Sequence, residues 1–348
     1  MFLSLRVQLQ NIYRNGGIRT GGADMKTRPR INRWTEARRE LLFGDFSLKS
    51  LVQPHFVVQG SRVDTPVHGM EGIHQQSVDV LIETIRKDAD HGINAVMLFG
   101  VVEHSEKDEQ ATKASDSTSH LHQAIKQIKD VFGDSIVIMT DVCLCTATDH
   151  GHCGLIEHGH IVNDASVERL CEIAVSHAGA GADFVCASDM MDGRVSAIRH
   201  ALEKANHTST GVLSYSVKYA SSFYGPFRHA ADSSPEFGDR STHQMNINSG
   251  YGEAVLEAKL DESEGADIIM VKPGLPYLDV LRQVADSVHR PVAVYNVSGE
   301  YAMVMNSAKD PESRKNMVCE IMTSFKRAGA DVVVTYHARE IARNAWML

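Results

Sequence analysis

Eight short apolar runs recur along the chain, and their spacing constrains the fold more than any other feature. They are HFVV (55–58), NAVMLFGV (94–101), SIVIMTDV (135–142), ADFVCASD (182–189), GVLSYSVK (211–218), ADIIMVKP (266–273), PVAVYNVS (291–298) and ADVVVTYH (330–337). Most are apolar throughout rather than alternating, as expected of parallel strands covered on both faces. The stretches between them read largely as helices, for example 76–91, 166–178, 193–205 and 313–328. Three joints use nearly the same words: AGAGAD before Phe184, EGAD before Ile268 and AGAD before Val332. Glycine ends a helix there, and the next strand begins within two residues. Eight strand-then-helix units in 348 residues predict an α/β fold, a (β/α)8 TIM barrel with an extended N-terminal arm. An open doubly wound sheet is the fallback, but no Gly-x-Gly-x-x-Gly follows the first strand.

Chemistry in such a barrel gathers where the strands end. The predicted ends are polar: Asp141 and Cys143, Ser188 and Asp189, Lys218, Lys272, Asn296 and Ser298, then Thr335, Tyr336 and His337. Lys218 and Lys272 end consecutive strands, about 4.8 Å apart if those strands pair. Two ammonium groups that close lower each other's pKa. A free lysine titrates near about 10.4, so becoming a nucleophile at neutral pH needs a fall of about two to three, or roughly 3–4 kcal/mol. A like-charged neighbour and apolar walls supply it, and the amine then forms a Schiff base with a ketone or aldehyde. The ordinary alternative pairs each lysine with a carboxylate such as Asp141 or Asp189. Two lysines on one rim favour catalysis.

DVCLCTATDHGHCG places Cys143, Cys145 and Cys153 within eleven residues at the end of the third strand. Thiolates at that density suit zinc, and three protein ligands leave a fourth position open. With His150 or His152 as a fourth ligand, the cluster reads as a closed structural site. Unligated thiols are the third reading. Cys171, Cys186 and Cys319 sit in helix-like or strand-like contexts and read as core. Arg228 and Arg240 flank a lid-like segment of small and polar residues, with Gln244 close behind; they suit bidentate capture of a carboxylate. Ser298 and Tyr336 offer hydroxyls for a second carboxylate, or are satisfied strand-end groups. Glu300 reads as a helix-cap residue.

Charge and cysteine usage narrow the context. Lys and Arg number 35 against 44 Asp and Glu, a net charge of −9, which argues against general nucleic-acid affinity. Residues 26–45 are locally basic and read as an arm packing on a neighbouring subunit, so the chain divides into 1–45 and a barrel of 46–348. No apolar run reaches the roughly 18 residues of a membrane span. The first 22 residues lack a secretory pattern, and Met25 is an alternative start. Six cysteines without such a pattern point to a reducing cytoplasm.

Together DVCLC…HGHCG, SDMMDGRV (188–195), SYSVKYASSFYGPFR (214–228), GDR…QM (238–245), EGADIIMVKPGLPYLD (264–279) and VSGEYAM (297–303) resemble the porphobilinogen synthase, or 5-aminolevulinate dehydratase, family. The resemblance runs from about Arg28 to the C-terminus. It implies a (β/α)8 barrel whose arm wraps a partner, in an octamer. It implies condensation of two 5-aminolevulinate molecules into porphobilinogen with loss of two waters, a step of tetrapyrrole (haem) synthesis. On it, Lys218 and Lys272 are the Schiff-base lysines, with Asp141 and Asp189 as proton-transfer or lysine-tuning groups. Cys143, Cys145 and Cys153 are zinc ligands. Arg228, Arg240 and Gln244 hold one substrate carboxylate, Ser298 and Tyr336 the other, with Ser188, Tyr224 and Phe227 beside them. Glu257 matches a carboxylate of an allosteric magnesium site in some bacterial members. The chain departs from the family pattern at Thr146, Ala147, Asp149, Ala187, Asn296 and in QMNINS around Asn246. Two rival readings remain. A one-lysine aldolase-like barrel leaves the second lysine and the thiols unexplained. A silent zinc-storing scaffold predicts metal binding without turnover.

Overall fold

The computed structural model describes residues 27–235 and 237–346. Its eight main strands are β1 (Leu51–Val57), β2 (Ala95–Gly100), β3 (Val137–Val142), β4 (Phe184–Ala187), β5 (Gly211–Lys218), β6 (Ile268–Lys272), β7 (Val292–Asn296) and β8 (Val332–Thr335). All pair in parallel in chain order, and β8 returns to β1 through Leu51↔Val333 and Val52↔Val334, closing the barrel. The eight runs expected from sequence are therefore the eight strands of a (β/α)8 barrel. The first starts earlier than HFVV suggests, because Gln53 and Pro54 interrupt the apolar run without ending the strand. Gln53 is buried, and its amide is satisfied by Pro54 O and the Arg339 N–H.

One main helix follows each strand: α1 (Val78–Asp90), α2 (His120–Phe132), α3 (Asn163–Ala180), α4 (Arg194–Lys204), α5 (Tyr251–Glu264), α6 (Leu278–Ser287), α7 (Pro311–Ala328) and α8 (Ala338–Arg343), with added helices Gly225–Ala230 before α5 and Ser298–Ser307 before α7. The ends of α7 show why these boundaries fall where they do. Asp310 caps the first turn by accepting the Ser313 N–H at 2.9 Å, Pro311 opens the helix, and Gly329 ends it at φ 103°.

The repeated GAD joints turn out to be one device used three times. Gly181, Gly265 and Gly329 all take φ between 103° and 111°, which a side chain would resist. The aspartates that follow each accept a main-chain N–H from the preceding strand's start. Asp183 takes Ile138, Asp267 takes Val212 and Asp331 takes Val292, at 2.8–2.9 Å.

Two apolar layers follow from strand alternation. Residues such as Val52, Met97, Met139, Phe184, Leu213, Met270, Tyr295 and Val334 fill the barrel, while Val185, Val212, Val271, Val294 and Val333 pack under the helices. Strand β5 breaks the alternation. Its register with β6 steps from Ser214↔Ile269 to Val217↔Val271, so two residues of β5 oppose Met270. This bulge resets the phase. Tyr215 and Lys218, three apart, both point inward.

The expected N-terminal arm divides in two. Residues 1–26 lie outside the described residues. Residues 28–43 lie on this chain's own barrel, at the strand starts. Ile31 and the helix Glu36–Phe43 supply Ile31, Ala37, Leu41 and Leu42 to the barrel's inner core. Arg38 is buried and donates to Asp183 Oδ1 at 2.7 Å and to the carbonyls of Ile31 and Ser209. No helix among the described residues is long and apolar enough to cross a membrane.

Candidate active site

The C-terminal rim gathers most of the predicted residues. Lys218 and Lys272 are register partners across β5 and β6, so strand pairing itself sets them side by side. Both are buried. The Lys218 ammonium donates to the Ser188 carbonyl. The Lys272 ammonium has four aromatic rings around it: Tyr295 at 4.3 Å, Tyr215 at 5.0 Å, and Tyr224 and Phe227 at 5.2 Å from their centroids. Burial first, and the neighbouring Lys218 second, bring Lys272 down to about 7, with Asp141 opposing.

Asp141 ends β3 on the same inner face. Burial pushes its carboxyl up to about 6, against a hydrogen bond from Ser188 and the charges of Lys218 and Lys272. Ser188 therefore binds Asp141 through its hydroxyl and Lys218 through its carbonyl. Asp189 is placed differently. It accepts the Met191 N–H at 2.7 Å and lies 3.9 Å from the Arg194 guanidinium. Arg194 in turn bonds Asp261 at 2.6 Å and Ser214 at 3.0 Å. That network lies behind the rim, and burial raises the pKa of Asp189 against the charge of Arg194.

Of the predicted carboxylate handles, Arg240 lies near enough for its charge to act on Lys272, while Gln244 also lines an outer cleft. Gln244 is buried, and both its amide atoms lack a hydrogen-bond partner; Arg228 Nε is buried and unpartnered as well. Arg240 is held by the carbonyls of Gly151, at 3.0 Å, and Ser233. Ser298 accepts the Phe227 N–H at 2.9 Å, tying the mouth's edge to β7. The Tyr336 and Tyr295 hydroxyls meet at 3.2 Å inside the barrel. Tyr224 directs its hydroxyl to Tyr219 O and Lys272 O, so toward a substrate it offers its ring.

The three thiols of Cys143, Cys145 and Cys153 lie within 4.8 Å of one another and are buried. Hydrogen bonds from Cys143 and Cys145 draw Cys153 far below the usual thiol range, against burial, and Arg240 assists. Partnership with the other two thiols, together with burial, pushes Cys143 up. Three converging sulfurs beside a guanidinium fit a soft divalent ion such as zinc. Neither His150 nor His152 joins the converging group. His152 turns its Nε2 to the Phe237 carbonyl at 2.9 Å, and His150 Nδ1 accepts the His152 N–H.

Glu257 stands apart from the lysines, on α5. It lines an outer cleft of about 790 Å³ with Asp192, Glu253 and Gln244. Burial raises its carboxyl, with Arg194 opposing. The carboxylates of Asp192, Glu253 and Glu257 therefore line that cleft, and among the described residues they do not converge as the three thiols do.

Sequence reading overlooked Tyr215 and Tyr295, which wall Lys272. The signal was present as aromatics inside barrel strands, but alternation alone puts Tyr215 and Lys218 on opposite faces. Glu300 does cap a helix start by accepting the Val297 N–H at 3.1 Å. It also accepts from Gly274, Leu275 and Asn296, which joins the ends of β6 and β7. Asn296 is doubly used, since Thr335 donates to its Oδ1 at 2.9 Å. Of the other departures from the family pattern, Ala147 and Ala187 are buried, Thr146 lines a small cavity with Asp141 and Cys143, and Asp149 accepts the His150 N–H. Asn246 accepts the Asn248 N–H in a surface turn.

Known proteins similar to this chain are numerous. The family model described as delta-aminolevulinic acid dehydratase matches residues 26–344. The delta-aminolevulinic acid dehydratase of Methanothermus sociabilis is 46% identical over 295 residues, covering 85% of this chain and 91% of its own. That of Bacillus subtilis is 46% identical over 293 residues, covering 84% and 89%. Among solved structures, the delta-aminolevulinic acid dehydratase (porphobilinogen synthase) of Toxoplasma gondii, in complex with its reaction product porphobilinogen, superposes with a TM-score of 0.83. It shares 43% identity and covers 92% of this chain and 91% of that one. Likeness of this extent in both sequence and fold places the chain in the delta-aminolevulinic acid dehydratase, or porphobilinogen synthase, family.

Proposed function

We propose that this chain condenses two molecules of 5-aminolevulinate to porphobilinogen, releasing two waters, through Schiff bases on Lys218 and Lys272. The observation that carries this mechanism is the in-register lysine pair, with Lys272 held near neutrality. A neutral amine adds to the ketone of one substrate, and the ketone oxygen leaves as water. Lys218 forms the second Schiff base, and both lysine amines leave again as the new carbon–carbon and carbon–nitrogen bonds close the pyrrole ring. Asp141, near 6 and bonded to Ser188, is placed to hold or return a proton beside both amines. Arg228, Arg240 and the unpartnered Gln244 amide receive one substrate carboxylate; Ser298 and Tyr336 receive the other. The aromatic walls exclude water and align the two molecules for carbon–carbon bond formation.

Cys143, Cys145 and Cys153 would hold zinc, which would supply Lewis-acid chemistry beside the bound substrate. Glu257 would be the protein carboxylate of a magnesium ion. The assembly is read as a homo-octamer in the cytoplasm. To test the lysine roles, the protein is incubated with 5-aminolevulinate, reduced with borohydride and digested. Adducts are expected on Lys218 and Lys272, and their absence from both rejects the mechanism. Full turnover in protein stripped of zinc rejects the role of the thiols.

A further inference from the structure

Ser298 and Tyr336 come from the ends of different strands, and one side chain braces both. Tyr301 lies one turn after Ser298 on the helix Ser298–Ser307, so the two share a helix face. Its ring is buried and packs edge-on against Tyr336, 5.7 Å between centroids, with the His337 ring at 4.4 Å. Its hydroxyl leaves the rim and donates to the Glu71 carbonyl at 2.6 Å, from a segment 230 residues away in the chain.

That carbonyl belongs to the connection between β1 and α1, residues 58–77. Two short antiparallel strands, Asp64–Pro66 and His74–Gln76, form its stem, and the second runs parallel to the end of β1. The turn between them is closed by the Val67 N–H on the Ile73 carbonyl at 2.8 Å and the Ile73 N–H on the Met70 carbonyl at 3.0 Å. Val67, Met70 and Ile73 are buried in the same inner core as Tyr301 and Tyr336. Glu71 and Gly72 are exposed, and Gly72 takes φ +82°, which a side chain would resist. With its apolar side chains sunk in the core and one carbonyl facing Tyr301, the turn acts as a strut.

We propose that Tyr301, anchored on the Glu71 carbonyl, is a positioning residue for the substrate whose carboxylate Ser298 and Tyr336 receive. It rests on that carboxylate reading. The molecule concerned is the one on Lys272, because the Tyr336 hydroxyl meets that of Tyr295 at 3.2 Å and the Tyr295 ring lies 4.3 Å from the Lys272 ammonium. Hydrogen bonds from two neutral hydroxyls are weaker than those of a guanidinium fork, so their grip on a carboxylate depends on correct spacing. Tyr301 sets that spacing by holding the Ser298 helix and the Tyr336 ring against one fixed point.

The test uses full-length protein and two ketones: 4-oxopentanoate, the substrate's skeleton without its amine, and its methyl ester, which lacks the charge. The Lys272 amine expels the ketone oxygen as water, borohydride adds hydride to the imine carbon, and the Lys272 peptide is quantified by mass spectrometry against ketone concentration. In Tyr301→Phe, the half-saturating concentration of the acid is expected to rise about 10-fold, the size of one lost hydrogen bond, with that of the ester within about 3-fold of wild type. Gly72→Ala leaves Tyr301 in place and reshapes the exposed turn that presents its anchor. It should lower the preference for acid over ester in the same direction, and it carries the test alone if Tyr301→Phe fails to fold. Acid and ester weakened equally, or neither weakened, makes Tyr301 mere packing and overturns the inference while the Schiff-base reading stands. No Lys272 adduct in the wild type, or no preference there for the acid, overturns the reading on which it rests and the inference with it.

Discussion

Lys272 shows how much stability a reactive group withholds. Its amine sits among four rings with Lys218 alongside, and burial brings it to about 7. Below pH 7 the folded protein carries this charge at full desolvation cost. Between 7 and the ordinary lysine value, the unfolded chain binds a proton that the folded one does not, so stability rises with pH. Lys272→Met should therefore abolish turnover yet resist urea by roughly 3–5 kcal/mol more than wild type at pH 6, with the advantage shrinking toward pH 10. Urea titrations at several pH values check the sign. The same titration governs chemistry: the rate of borohydride-trapped adduct formation should climb through about pH 7 and then level off. A climb continuing to pH 10 would show an ordinary lysine. Asp141→Asn should lower turnover by about 10²–10⁴-fold while leaving the fold intact, measured by steady-state kinetics and thermal melting.

At the scale of elements, the rim is held by loops rather than strands alone. Glu300 is buried and accepts N–H groups from Gly274, Leu275, Asn296 and Val297. Glu300→Ala strands these donors away from water and should cost about 3 kcal/mol or more, read as a lowered urea midpoint. This position was legible in the sequence only as a helix cap, because capping is local, whereas the Gly274 and Leu275 bonds cross from another strand's end. The strands were legible for the opposite reason: each is a continuous apolar run, and closure repeats one unit eight times. Lys218, Lys272 and the three thiols were legible because chemically distinctive residues fell at predicted strand ends. The role of Tyr215 was not legible, because strand alternation hides the phase of β5. The β5 bulge turns Tyr215 inward beside Lys272, and Arg194 on α4 lies 3.9 Å from Asp189.

Over the whole molecule, chemistry and stability occupy opposite ends of the barrel. The rim collects unpartnered polar groups such as Gln244, while the strand starts collect buried ion pairs. There Arg38 and Asp183 are buried together, and Lys129 adds a contact to Asp183 at 3.0 Å. Arg38→Met should cost about 2–4 kcal/mol in urea unfolding, somewhat less than breaking an isolated buried pair, because Lys129 remains. Turnover per folded molecule should be unchanged, since the substitution lies at the floor. The basic character of residues 26–45 was legible, but not its target: the matching acid, Asp183, lies at the start of β4, 145 residues away from Arg38.

The added residue in β5 has a consequence for anyone building such an enzyme. Because Lys218 and Lys272 share one rung of the sheet, their spacing is inherited from main-chain hydrogen bonds, about 4.8 Å between strands, and not from side-chain conformers. The barrel wall serves as a gauge block for two carbon skeletons that must be joined. Fitting a second amine into another parallel barrel would therefore begin with a one-residue strand insertion and its phase, before any pocket is carved.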